Sequence, residues 1–171
     1  MDIKTILRKL ASKRQLFHSE ADFQHSLIWE IKKTHCNSEI RLEYPINIEK
    51  RINLDIFLSF EDVGYAIELK YKTRKLSTEH NNERYFLQNH NVQDIGRYDF
   101  LKDVERLEKV RKVDDCVGYA IFLTNDSSYW KTSRRVDTVD SDFRIHEGRI
   151  VSGDLKWSEL ASKGTTRSKV Y

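Results

Sequence analysis

Two runs, RINLDIFLSF (51–60) and GYAIELKYK (64–72), are dominated by β-branched, aromatic and aliphatic residues and meet across the short segment EDVG. A connection that short forces neighbouring strands into an antiparallel hairpin. No other stretch limits the fold as tightly, because runs this apolar belong inside a sheet. Polar residues nevertheless interrupt them. Asp55 stands between Leu54 and Ile56, Glu68 between Ile67 and Leu69, and Lys70 between Leu69 and Tyr71, although Asp is depleted in strands.

Side chains alternate faces along a strand, so Glu68, Lys70 and Lys72 share one face, and Asp55 shares a face with Phe57. Pairing about EDVG sets Asp55 roughly opposite Glu68. Two carboxylates therefore meet at one end of the sheet, with an ammonium one pleat away. A surface ion pair would contribute only about 0–1 kcal/mol. Two neighbouring carboxylates repel unless a proton or a cation lies between them. Hard oxygen donors suit Mg2+ or Mn2+. With a lysine alongside, they are the parts needed for metal-assisted phosphodiester hydrolysis.

The rest of the chain supplies helices and further strands around this hairpin. Ile3, Ile6, Leu7 and Leu10 are spaced for a short amphipathic helix with a basic outer face. Its expected use is to dock on the domain. Ser19 is a candidate N-cap for a second helix, EADFQHSLIWEIKKTH, with Asp22 placed to close a capping box. Phe23, Leu27, Ile28 and Ile31 form its apolar face, and Glu20 and Gln24 lie one turn apart on one side. SEIRLEYPINIEK reads as a strand that Pro45 ends or bulges. Residues 73–91 are polar and aperiodic and read as a long exposed loop. From Val92 an apolar residue recurs about every third position, which predicts a long helix through about Lys112, and VGYAIFLTND then reads as a buried strand. The order is helix, three strands, helix, strand. It predicts an α/β fold with a mixed central sheet and a helix on each face.

Composition excludes several classes. Cys36 and Cys116 form no CxxC or Cys/His cluster, so structural zinc is not expected and both thiols are expected reduced and packed in the interior. No run of 18 apolar residues and no signal-peptide core is present, so no membrane role is expected and the location is expected to be cytoplasmic. One domain over 1–171 is expected, with its core at about 18–125, the N-terminal helix before it and a C-terminal extension after it. No phosphate-binding glycine loop or nucleophile elbow is present. The net charge of +3 arises from basic stretches at 4–14, at 70–75 and toward the C-terminus. These suit a phosphate-bearing partner.

The pattern D-x12-E-x-K, following a helix that carries a glutamate, resembles the PD-(D/E)XK nuclease superfamily with its restriction-endonuclease-like α-β-β-β-α-β core. The resemblance implies Asp55 as the central metal ligand and Glu68 as the second, beside the Leu69 carbonyl. It implies Lys70 as the motif lysine, orienting or activating the attacking water, and Glu20 completing the metal site. Leu54 stands where the named pattern has proline. The implied activity is endonucleolytic hydrolysis of DNA with Mg2+ or Mn2+. Further nucleic-acid contacts are expected from Arg51, Lys72 and Arg74, and from Gln93 and Arg97 on the long helix, where a guanidinium suits a phosphate. The same core also serves structure-selective junction resolvases, which would imply a homodimer or a partner protein. A fold of this kind without turnover, acting as a nucleic-acid binder or scaffold, is the contrasting expectation.

Overall fold

The computed structural model describes residues 1–48 and 51–158. Its elements are α1 (Ile3–Lys13), α2 (Glu20–Thr34), β1 (Glu39–Asn47), β2 (Arg51–Phe60), β3 (Val63–Lys72), β4 (Leu76–His80), β5 (Glu83–Leu87), α3 (Gln93–Asp114) and β6 (Val117–Thr124). A 3-10 turn follows at Ser141–Phe143. The last two residues of the expected SEIRLEYPINIEK strand, and the C-terminal extension after Ser158, lie outside the described residues.

The sheet is mixed. Its order is β1-β2-β3-β6, with β1, β2 and β3 antiparallel and β6 parallel to β3. The β2–β3 turn centres on Glu61 and Asp62, both at positive φ, the backbone shape that matches the twist of a two-residue hairpin. Ile3, Ile6 and Leu10 of α1 pack with Phe23, Leu27 and Ile31 of α2 onto Ile56, Leu58, Ile67 and Leu69. Leu107 and Val110 of α3 cover the opposite face against Leu54 and Ala66. The α/β layering expected from the sequence is present, and α1 docks as expected. Among the described residues no helix is long and apolar enough to cross a membrane.

Local signals account for the starts of α1 and α2. Asp2 accepts from the Lys4 and Thr5 N–H groups, and Ser19 Oγ accepts from Asp22 N at 3.1 Å. The return half of the expected capping box is absent. The Asp22 carboxylate instead accepts from His18 N and from both terminal nitrogens of Arg14.

Three expectations need correction. Residues 73–91 are not a loop: β4 and β5 pair as a hairpin about Asn81 and Asn82, both at positive φ. Thr73 and His90 close its base: His90 N donates to the Thr73 carbonyl, and Thr73 N donates to His90 Nδ1. Pro45 neither ends β1 nor shifts its register, because β1 is an edge strand and Pro45 still faces Asn53. Cys36 is exposed, and only Cys116 is buried.

Candidate functional site

The site forms where β2 leaves β3. Along β2, Ile56 and Leu58 belong to the core under α1 and α2, while Leu54, of the same parity, belongs to the core under α3. In β1, Ile40 and Tyr44 divide between the two cores in the same way. Strict alternation forbids this, so both strands must turn over between those positions. The turnover falls on Glu43 and Asp55. The β1–β2 register steps from Leu42↔Ile56 to Tyr44↔Leu54 across them, and Glu43 sits at φ 48°. The β2–β3 ladder stops at Ile56↔Ile67, one step short of Asp55 and Glu68.

This divergence leaves β3 donors without strand partners, and carboxylates take them. Leu69 N donates to Asp55 Oδ2 at 2.6 Å, and Tyr71 N donates to Glu20 Oε2 at 2.6 Å. Leu69 and Tyr71 are two apart, so both N–H groups leave β3 on the same edge. Gln24, one turn after Glu20, donates Nε2 to the Asp55 carbonyl at 2.8 Å. The first two turns of α2 are thus tied to the opening between β2 and β3.

Glu68 and Lys70 stand on the α3 face of β3, and α3 supplies a partner for each. Arg106 donates to Glu68 Oε1 at 2.7 Å, and Lys70 Nζ lies 2.9 Å from Asp103 Oδ2. Arg106 also lies 3.4 Å from Asp103 Oδ1, so acidic and basic side chains alternate along Glu68, Arg106, Asp103 and Lys70. Burial pushes the Glu68 carboxyl up to about 8, overcoming the opposing pull of Arg106, and the charge of Asp55 adds to the rise. Burial would lower the Lys70 pKa, but Asp103 outweighs it and holds the ammonium above the usual lysine range.

Donor chemistry at this opening suits a hard divalent cation. Asp55 and Glu20 each spend one oxygen on a backbone N–H, which fixes the plane of the carboxylate and leaves the other oxygen for a further partner. Glu68 uses one oxygen on Arg106 and suffers from the nearby charge of Asp55. Mg2+ commonly takes one or two carboxylates and completes its shell with water. The described residues contain no group of three or more His, Cys, Asp or Glu side chains arranged to enclose a metal. A hard cation here would therefore rest on at most two of these carboxylates and on water, with Asp55 held on the Leu69 N–H and Glu20 on the Tyr71 N–H.

The expected nucleic-acid contacts separate into two groups. Arg51 is exposed at the start of β2, and Lys72 is half-buried at the end of β3. The other three bind the segment after β6. Gln93 donates to Asp126 at 3.0 Å, Arg74 lies 3.2 Å from Asp126, and Arg97 pairs with Asp140 at 2.6 Å and donates to the Ser128 carbonyl. Arg97 is 4% exposed, so its expected role at a phosphate is corrected: its guanidinium is spent on Asp140 and the Ser128 carbonyl. Gln93 likewise faces Asp126 rather than the opening. Arg74 keeps most of its side chain in solvent.

Asp103 and Arg106 are absent from the sequence-derived site. The apolar period of the long helix draws attention to Val104 and Leu107, and the acid and base just before each look like an ordinary helix-surface pair at i, i+3. Only the burial of Asp103, 5% exposed, marks it as different. Comparison with family models, with curated proteins and with solved structures found no match to this chain.

Proposed function

We propose that the chain is a metal-dependent endonuclease that hydrolyses phosphodiester bonds of DNA on a PD-(D/E)XK, restriction-endonuclease-like core. One observation carries this reading. Asp55 stands in the opening where β2 leaves β3, its carboxylate fixed by Leu69 N–H, with Glu68 and Lys70 beside it and Glu20 fixed two residues further along β3.

In this reading Asp55 and Glu68 would hold Mg2+ or Mn2+, with the Leu69 carbonyl and Glu20 completing the donor set. Such an ion supplies Lewis acidity at the phosphate and lowers the pKa of a nearby water. The remaining work falls to the chain. Leu69 N–H and Tyr71 N–H keep two carboxylates aimed at the opening without rotamer searching, so little reorganisation accompanies substrate entry. Lys70, held as an ammonium, orients the attacking water and stabilises charge that develops on the phosphoryl oxygens. Lys72, Arg51 and the solvent-exposed part of Arg74 serve flanking phosphates.

The test is cleavage of linear duplex, supercoiled, single-stranded and branched DNA with Mg2+ or Mn2+, comparing wild type with Asp55→Ala and Lys70→Ala. Expected is metal-dependent cutting that each substitution reduces by at least ~100-fold, the scale of losing one catalytic group. Preference for the branched substrate would assign a junction resolvase. A wild type that cuts nothing with either metal, or two variants with full activity, would refute the reading.

A further inference from the structure

We propose that Asp103 is a positioning residue for catalysis, holding the Lys70 ammonium at the opening between β2 and β3; this rests on the nuclease reading above. Lys70 has a long flexible stem and points from β3 toward α3, where its side chain is 21% exposed. Left alone, such a side chain samples many rotamers. Asp103 removes that freedom. Its own side chain is 7% exposed, one oxygen faces Lys70 and the other faces Arg106, which is itself bound to Glu68.

A buried carboxylate is an expensive way to pack a helix onto a sheet, since an apolar residue of similar volume serves as well or better. The neighbouring positions Leu107 and Val110 show the ordinary solution on the same helix. What Asp103 adds is direction. It fixes the ammonium where Lys70 feels the charges of both Glu20 and Asp55, and it ties that placement to the orientation of Glu68 through Arg106. The four side chains thereby hold both residues of the E-x-K pair in one arrangement.

The experiment compares wild type, Asp103→Asn, Asp103→Glu, Lys70→Met and the Asp103→Asn/Lys70→Met double variant, as full chains cutting supercoiled plasmid with Mg2+. Thermal melting confirms that each is folded. Expected for Asp103→Asn is a kcat lowered about 10- to 100-fold, with KM and the affinity for Mn2+ alone, read by titration calorimetry, within about twofold of wild type. Asp103→Glu recovers most of the rate. In the Lys70→Met background Asp103→Asn has no further effect, because the two residues act as a unit. A second readout needs no turnover: acetylation of Lys70 in metal-free protein, followed by peptide mass spectrometry, rises at least about fivefold in Asp103→Asn, since a carboxylate neighbour no longer occupies the ammonium. An active wild type whose Asp103→Asn variant keeps full kcat, or loses the same factor with and without Lys70, overturns the positioning role. Unchanged acetylation overturns the pairing itself. An inactive wild type with altered acetylation removes the nuclease reading, and with it the catalytic purpose of the pair.

Discussion

Replacing Glu68 by Gln should stabilise the metal-free protein, and by an amount that grows with pH. Glu68 is 2% exposed, and its carboxyl is pushed up to about 8 from 4.5, chiefly by burial. Between those two values the folded chain keeps a proton that the unfolded chain has lost. The favourable contribution is therefore complete below about pH 4.5 and disappears as pH rises through about 8. A midpoint displaced this far corresponds to ~5 kcal/mol as a ceiling. Ionised Glu68 can draw in water and tighten on Arg106, which lowers the measurable difference to ~2 kcal/mol. Gln keeps the shape and still accepts from Arg106, so the comparison isolates the charge. Urea unfolding in chelator at about pH 5 and about pH 8 reads the difference, with wild type and variant nearly equal at the lower pH and the variant ahead by ~2 kcal/mol at the higher. A variant no more stable than wild type at about pH 8 would refute the reasoning. It would mean that Arg106 fully offsets the desolvation of the carboxylate.

Two further outcomes test the surroundings of the site. A methyl group at Gly96 would overlap the Tyr129 hydroxyl and lie 3.2 Å from its Cζ, and Tyr129 is 3% exposed and packed at a tilt against Phe122. Overpacking of ~1–3 kcal/mol then outweighs the ~1 kcal/mol gained by replacing a helical glycine, so Gly96→Ala should lower stability by about 1 kcal/mol in denaturant unfolding. Burial works to raise the Asp126 pKa, but the Ser128 N–H, the Gln93 amide and the charge of Arg74 outweigh it and hold the carboxyl below its usual value. Its stabilisation is present above about pH 4 and is lost as pH falls through the lowered folded value. Asp126→Asn should accordingly remove part of the acid sensitivity of thermal melting below about pH 4, and an unchanged acid limb would count against the assignment.

The elements that were legible in the sequence are those whose causes are local. The β2–β3 hairpin follows from two apolar runs and a turn too short for any other pairing. Ser19 caps α2 because its hydroxyl needs only the N–H three residues on. Glu20 and Gln24 lie on one side of α2, and both reach the β2–β3 opening. The β4–β5 hairpin carried a local signal too, Asn81-Asn82 at its centre. Its flanks LSTEH and ERYFL are so polar that the period-2 pattern is faint, since this small ribbon buries little beyond Tyr85 and Leu87.

What the sequence by itself determined is thus the order of the core elements α2, β1, β2, β3, α3 and β6 and the adjacency of Asp55, Glu68 and Lys70, because pleat, helical turn and tight loop act over a few residues. Tertiary structure decided where the strands part and how the charges are shared. Leu54 and Ile56 read as one face in the sequence and pack on opposite sides of the sheet, which opens the ladder at Asp55. Arg97 reads in the sequence as a phosphate contact, yet its partner is Asp140, 43 residues away. Asp103 and Arg106 meet Lys70 and Glu68 only because α3 crosses that stretch of β3. An ionic side chain accepts any opposite charge within reach. Packing of distant elements determines which one that is.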